Sequence, residues 1–157
     1  MERRPVTTEP DKSLIRESIQ RLLRTQYFAV LTTSGEMFPY ATLVGFAATE
    51  DLKHILFATM RNTRKHRNIE LCNRVSLLID NRTNRVEDLK HAQALTVLGT
   101  AGEARAESKR RFTSIYLERH PHLTDFVNDP NTSLINVEVQ KYILVSRFQE
   151  VSELEIE

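Results

Sequence analysis

Short apolar runs separated by turn-forming residues are the main pattern along this chain. Most of them alternate apolar and polar positions with a period of two, which predicts β-strands. Pro39 indicates that the second run begins at an edge or opening of the sheet, and Gly99 and Gly102 allow a bulge in the fifth. The last run is long enough for one strand or for two joined at a bend. The runs lie at residues 27–32, 37–47, 55–58, 75–80, 94–104 and 134–148.

Three other segments carry apolar residues at helical spacing. They are residues 11–24, 62–71 and 108–119. Asp11 or Ser13 caps the first of these predicted helices, and Asn62 or Thr63 caps the second. Pro121 ends the third, because proline cannot continue a helix. Residues 81–90 are polar and show no period, so they are predicted to form a loop.

The order of these elements predicts a mainly β fold with flanking helices. Short connections between successive strands favour antiparallel pairing, and a twisted sheet of about six strands tends to curl and close on itself. The sequence therefore predicts a six-stranded antiparallel barrel. Residues 11–157 are expected to form this single domain, and residues 1–10 a flexible N-terminal arm.

Composition limits the binding partners and the cellular compartment that the sequence predicts. The net charge is +1, so the molecule as a whole is not drawn to nucleic acid or to an anionic membrane. The single cysteine, Cys72, excludes an internal disulfide and is expected to be a buried structural thiol. No apolar stretch is long enough to span a membrane, and the N-terminal residues lack the apolar core of a secretory signal. We expect a cytoplasmic protein.

One local cluster of positive charge stands out against this neutral background. Arg61, Arg64, Lys65 and Arg67 crowd the start of the second predicted helix. A helix start already carries partial positive charge and free backbone N–H groups, so further cations there suit a bound anion such as phosphate. The alternative is a solvated basic face whose arginines pair with acids such as Glu70. Since the cluster lies between two apolar strands, it is attached to the body of the fold.

Other candidate sites are weaker. His120-Pro121-His122 offers two metal ligands, but no carboxylate or thiolate stands at a convincing spacing, so no metal site is predicted. The sequence contains no nucleophile elbow, phosphate-binding P-loop or dinucleotide fingerprint. Phe148 is a further candidate for contact with a ligand from the last strand.

Several groups of residues around the basic cluster form a recognisable series. In chain order they are Pro39-Tyr40-Ala41-Thr42-Leu43-Val44, Phe57-Ala58-Thr59, Thr63-Arg64-Lys65, Asn68-Ile69, residues 73–80, residues 94–101 and residues 139–145. The series resembles the pyridoxamine 5′-phosphate oxidase-like family, the FMN-binding split barrels, over residues 24–151. Two departures stand out: the chain keeps the family's asparagine at position 73 but lacks the proline that follows it, and the chain contains no tryptophan. Because family members that oxidise pyridoxamine phosphate hold it with tryptophan and arginine, that reaction is not expected here.

The resemblance implies a set of site residues. Arg64 and Lys65 would bind the FMN phosphate, and the hydroxyls of Thr63 and Thr59 would donate hydrogen bonds to it. The remaining candidates are implied contacts of other kinds: Thr42, Leu43 and Val44 along the flavin ring, Arg61 and Asn68 as extra contacts, and Gln93 from a partner subunit. The resemblance also implies a homodimer with the flavin at the subunit interface.

Three functions remain open on this basis. The first is an FMN-dependent oxidoreductase acting on a small molecule with an electron donor, in which the flavin carries the chemistry and no dedicated acid or base is needed. The second is a flavin-binding module without catalysis, such as an electron carrier or redox sensor. The third is a barrel that binds another cofactor, a deazaflavin, a nucleotide or haem, the last with His66 or His91 as a ligand. Nucleic-acid binding comes last, because the basic patch is short.

Overall fold

The structure is a computed structural model that describes residues 11–147 and 149–157. The predicted arm at residues 1–10 and the candidate Phe148 lie outside the described residues. Within the described part, the α-helices are α1 Lys12–Thr25, α2 Arg64–Leu71, α3 Asp88–His91, α4 Ala106–Arg119 and α5 Thr124–Asn128. The strands are β1 Phe28–Ser34, β2 Pro39–Gly45, β3 Ala47–Ala48, β4 His54–Met60, β5 Arg74–Asp80, β6 Ala94–Glu103, β7 Thr132–Ser146 and β8 Glu150–Glu155. A 3-10 turn, Pro121–Leu123, joins α4 to α5.

The strands form one antiparallel sheet in the order β2-β1-β5-β6-β7-β4-β3, with β8 also paired to β7. β2 and β3 belong to one run of chain that is broken at Phe46. The first part of this run pairs with β1 and the last part with β4, at the two ends of the sheet. The run therefore curls the sheet into a barrel, and the predicted antiparallel split barrel is confirmed.

The predicted strand count of six is wrong. The described residues form seven strands of six residues or more, together with the two-residue β3. The break at Phe46 divides the predicted second strand into β2 and β3. β8 escaped prediction because only Leu154 on it is buried. It pairs with β7 through a backbone ladder, to which Lys141 adds ion pairs with Glu153 and Glu155 at 3.1 and 2.8 Å.

The three long helices form where the apolar spacing predicts them. Asp11 caps α1, its carboxylate accepting a hydrogen bond from the Ser13 N–H at 3.0 Å, and Thr63 caps α2. The two short helices, α3 and α5, lie in segments without helical periodicity. None of the helices in the described residues is both long and apolar enough to cross a membrane.

The core fills the inside of the barrel and continues under its helices. Its largest fully buried side chains include Leu31, Phe57, Leu77 and Tyr142. α1 packs Ile15, Ile19, Leu22 and Leu23 into this cluster, and α2 contributes Ile69. A second cluster lies outside the barrel, where Phe112 and Tyr116 of α4 cover Ala47, Leu56 and Leu134.

Gly99 marks the predicted bulge in β6, where the register with β7 shifts between Leu98 and Gly99. A Cβ atom at Gly99 would lie 2.8 Å from Val137 Cγ1 and closer still to the Glu138 carbonyl oxygen. Glycine is therefore required here by the close approach of β7. At Gly102, a Cβ atom would have no neighbour within 4 Å.

We expect Gly99→Ala to lower the free energy of unfolding by about 1–3 kcal/mol, because the new methyl group must push β7 away. The matched control is Gly102→Ala on the same strand, which we expect to change stability by less than about 0.5 kcal/mol. Urea unfolding of both variants and the wild type measures the difference. Equal stability of the two variants would contradict the close approach at Gly99.

Candidate functional site

A gap between β2 and β4 is the opening of the split barrel. β3 pairs with β4 only at Ala47–Leu56 and Ala48–Ile55. Continuing that register would place Val44 opposite Thr59, but β2 pairs only with β1, and this part of β4 pairs only with β7. The facing backbone edges of residues 43–45 and 58–60 thus form no ladder with each other. They are available to a ligand that carries hydrogen-bonding groups.

α2 begins at the end of this gap, and hydroxyl groups fix its position. Thr59 is buried at the end of β4, and its Oγ1 lies 3.0 Å from Thr63 Oγ1. Thr63 Oγ1 donates to the Met60 carbonyl at 2.9 Å and accepts from the His66 N–H at 3.4 Å, as the helix cap. The first N–H groups of α2 are therefore held beside the gap.

Two cations project from the first turn of α2 without a carboxylate partner. Neither Arg64 nor Lys65 forms an ion pair within 4 Å in the described part of the chain. Lys65 is half-buried, and this burial lowers the pKa of its ammonium group. Arg64 places its guanidinium carbon 5.1 Å from the centre of the Tyr40 ring. An incompletely solvated cation that lacks an internal counter-charge favours an external anion.

The other two predicted contacts near α2 already have partners within the chain. Arg61 forms a two-point ion pair with Glu103 at 2.6 and 2.7 Å, which lowers the pKa of that carboxyl group. Asn68 is buried and donates from Nδ2 to Thr33 Oγ1 at 3.0 Å, tying α2 to β1. Their part in binding a ligand stays a prediction.

The three predicted ring contacts lie side by side on β2, at the edge of the gap. Thr42 and Val44 pair with the buried Leu31 and Ala29, so their side chains share the inner face. Thr42 Oγ1 is buried and has no hydrogen-bond partner among residues 11–147 and 149–157. Leu43 points the other way and leaves 67% of its surface exposed. The backbone edge of β2 therefore offers polar groups, while one unpartnered hydroxyl lies behind it.

Gln93 lies far from the rest of the predicted set. It immediately precedes β6, beside the end of β5 at Asp80, whereas α2 leads into the opposite end of β5 at Arg74. A strand of this length spans roughly 20 Å. Within one subunit, Gln93 therefore cannot reach the start of α2. Its part in the site stays a prediction.

Two residues that the sequence analysis did not assign to the site close the other end of the gap. Tyr116 donates its hydroxyl hydrogen to the Gly45 carbonyl at 3.3 Å, and burial raises the pKa of this tyrosine to about 12. His120 Nε2 lies 2.7 Å from the Phe46 carbonyl oxygen, which can only accept, so this nitrogen carries the hydrogen. The position of Tyr116 on its helix predicts its burial from the sequence. Only the fold, however, brings Tyr116 and His120 to the break between β2 and β3.

A groove of about 890 Å³ lies elsewhere on the molecule, between α1, β3 and α4. None of the predicted site residues lines it.

The burial of His120 makes stability depend on pH. Burial, with added repulsion from His122 and Arg119, lowers the pKa of His120, so the unfolded chain binds a proton more readily than the folded one. The stabilising contribution is complete above the unfolded pKa of about 6.5 and is lost as the pH falls toward the folded value. We expect a decrease of up to about 1.4 kcal/mol per pH unit in the free energy of unfolding.

The variant His120→Gln can keep the hydrogen bond to Phe46 but does not titrate, so it should lack this part of the pH dependence. His91→Gln, at an exposed position on α3, is the control and should behave like the wild type. Chemical unfolding between pH 5 and pH 8 checks the expectation. The same pH slope in His120→Gln and the wild type would refute it.

Comparisons with solved structures agree on the fold. A haem-binding protein from Mycobacterium smegmatis superposes with a TM-score of 0.80 at 15% identity, with 95% of this chain covered and 60% of that one. A FAD-binding protein from Mesorhizobium loti gives 0.66 at 14% identity, with coverage of 88% and 93%. A Clostridium acetobutylicum protein related to general stress protein 26, of the pyridoxinephosphate oxidase family, gives 0.69 at 15% identity, with coverage of 93% and 96%.

No curated protein matches the sequence, but a family model does. The family model described as pyridoxamine 5′-phosphate oxidase matches residues 15–146, which span β1 to β7, the gap and the start of α2. With this match over most of its length, the chain belongs to the pyridoxamine 5′-phosphate oxidase family of split barrels.

Proposed function

We propose that this protein binds FMN, with the flavin phosphate at the start of α2 and the ring along β2. The observation that supports this proposal best is the pair of cations without carboxylate partners, Arg64 and Lys65, beside an open gap in the sheet. The phosphate would meet the two cations and the free N–H groups of the first helical turn. The hydroxyls of Thr59 and Thr63 lie beside them, and Thr63 would have to turn its hydroxyl hydrogen from the Met60 carbonyl to the phosphate.

The gap also fits the flavin ring. The unpaired edge of β2 carries backbone N–H and C=O groups, which suit the hydrogen-bonding edge of the ring. Thr42 adds a buried hydroxyl without a partner, a group that is costly unless something bonds to it. Val44 supplies a buried apolar side chain on the same face. A polar side chain, Thr42, and an apolar one, Val44, thus lie beside the gap, as a flat and partly polar ligand requires.

We infer an oxidoreductase that acts on a small molecule. A bound flavin supplies the hydride or electron transfer, and the protein contributes binding, orientation and exclusion of water. This division of labour requires no dedicated acid or base from the chain. Tyr116, kept neutral by the rise in its pKa, and His120 would act only as the closed end of the gap.

A second copy of the chain would complete the site. On the outer face of the sheet, cross-strand neighbours form a continuous and mostly apolar row: Leu43, Val30, Leu78, Thr96 and Ile143. Nearby Phe28 exposes 62% of its surface. We infer a homodimer that buries this face, with the flavin at the interface and Gln93 of the second copy near it.

Haem is the second candidate cofactor, because the similar Mycobacterium smegmatis structure is of a haem-binding protein. In this chain, His66 is buried beside Lys65, and among the described residues its Nδ1 accepts or donates no hydrogen bond, although the Glu70 carboxylate lies 3.7 Å from it. The FAD-binding Mesorhizobium loti structure supports the flavin instead. The absorbance spectrum of the purified protein separates flavin, deazaflavin and haem. Bleaching by NADH or NADPH and reoxidation by an acceptor then separates an enzyme from a passive flavin carrier.

We expect the double variant Arg64→Ala, Lys65→Ala to weaken FMN binding by about 2–5 kcal/mol, because the phosphate loses both charge-assisted contacts. Flavin fluorescence titration measures the affinity. Arg67→Ala is the matched control, since Arg67 is an exposed cation on the same helix whose guanidinium bonds to the Asn62 carbonyl. Unchanged affinity in the double variant would place the phosphate elsewhere.

We expect Leu78→Glu to convert the dimer into a monomer, because it introduces a charge into the centre of the apolar row. Light scattering during size-exclusion chromatography gives the mass. Leu14→Glu, on the exposed side of α1, is the control and should leave the dimer intact. A wild-type protein that is monomeric with FMN bound would contradict the proposed interface.

A further inference from the structure

The contact between Tyr40 and Arg64 links β2 to the first turn of α2. The guanidinium carbon of Arg64 lies 5.1 Å from the centre of the Tyr40 ring, within the range of a cation–π interaction. Tyr40 is half-buried and lies directly opposite the fully buried Thr33 in the pairing of β2 with β1. Thr33 in turn accepts the hydrogen bond of Asn68 from α2. The ring therefore sits on β2, whose partner strand β1 is tied to the helix, so it is a fixed surface for Arg64.

The choice of an aromatic partner has a chemical consequence. Arg61 lies two residues before Thr63, the cap of α2. Its guanidinium N–H groups are occupied by the carboxylate of Glu103. The ring of Tyr40 attracts Arg64 through its face and does not itself occupy the in-plane N–H groups of the guanidinium, which have no carboxylate partner in the described part of the chain. An arginine held in this way loses less conformational freedom when it binds a phosphate oxygen at two points.

We propose that Tyr40 is a positioning residue that holds Arg64 for a terminal phosphate, so that the site prefers FMN to riboflavin. The inference rests on the proposed flavin function and deepens it, since it names the residue behind the selection of a phosphorylated ligand. Tyr40 acts through Arg64, and its effect is therefore confined to ligands that carry the phosphate.

The test compares two ligands that differ only in the phosphate group. Full-length protein freed of bound flavin is titrated with FMN and with riboflavin, and the quenching of flavin fluorescence gives each dissociation constant. The variants are Tyr40→Val, which removes the ring but suits a strand, Tyr40→Phe, which keeps the ring, and each of these combined with Arg64→Met. Thermal unfolding verifies that each variant is folded.

We expect Tyr40→Val to weaken FMN binding about two- to thirty-fold, the range of a cation–π interaction. Riboflavin binding should not change, and Tyr40→Phe should retain the affinity of the wild type for FMN. With Arg64→Met in place, Tyr40→Val should cause no further loss, because the guanidinium that it positions is gone. This lack of additivity is the signature of an effect that passes through Arg64.

Other outcomes overturn the assignment. An equal loss for FMN and riboflavin would mean that Tyr40 contacts the flavin ring, and a full loss in the Arg64→Met background would mean that it acts independently of Arg64. If the wild type binds riboflavin and FMN equally well, the proposed flavin binding is supported, but the proposed preference for the phosphorylated ligand is wrong. If it binds neither, the proposed function itself fails. Tyr40→Thr, another β-branched replacement, substitutes for Tyr40→Val if that variant does not fold.

Discussion

The fold depends on one constraint: a single run of chain, β2 and β3, has to pair with both ends of the sheet. Its first part pairs with β1 and its last part with β4, and the chain must turn at Phe46 to make both pairings. No register lets both pairings continue through the turn. The barrel can therefore be curled by this run but not sealed by it, and a gap beside β4 follows from the topology.

Unpaired strand edges are costly when buried and prone to association when exposed, and the chain treats the two ends of the gap differently. At the end near the turn, Tyr116 and His120 supply hydrogen bonds to the carbonyls of Gly45 and Phe46. At the other end, α2 begins beside the gap, with Arg64 and Lys65 in its first turn. One end is closed by the protein's own side chains, and the other is where we propose that the ligand binds.

The sequence predicts the parts of this structure that depend on local chemistry. Strand runs, the three long helices, the cap at Thr63 and the bulge at Gly99 follow from periodicity and from the needs of particular residues. The strand count is wrong for two reasons: β8, which pairs with β7 as a hairpin, buries only one residue and so lacks an apolar alternation, and the break at Phe46 depends on partners from elsewhere in the chain. The same limit applies to the site, because no local pattern shows which cation will be paired.

The fates of Arg61 and Arg64 show why that pairing matters more than the number of charges. Both lie in one basic run, three residues apart, and a count of positive charges treats them alike. The fold gives Arg61 a carboxylate and gives Arg64 an aromatic ring. The first arginine already has its counter-charge and serves to fasten α2 to β6. The second, Arg64, is attracted to a ring that carries no charge, so its own positive charge is not neutralised. Because half-buried Lys65 lies beside it, the uncompensated charge of the run is concentrated in one turn of the helix. Under the proposed function, a dianionic phosphate would satisfy that turn, whereas no residue of the proposed site selects a substrate, so the proposal specifies the cofactor more narrowly than the reaction.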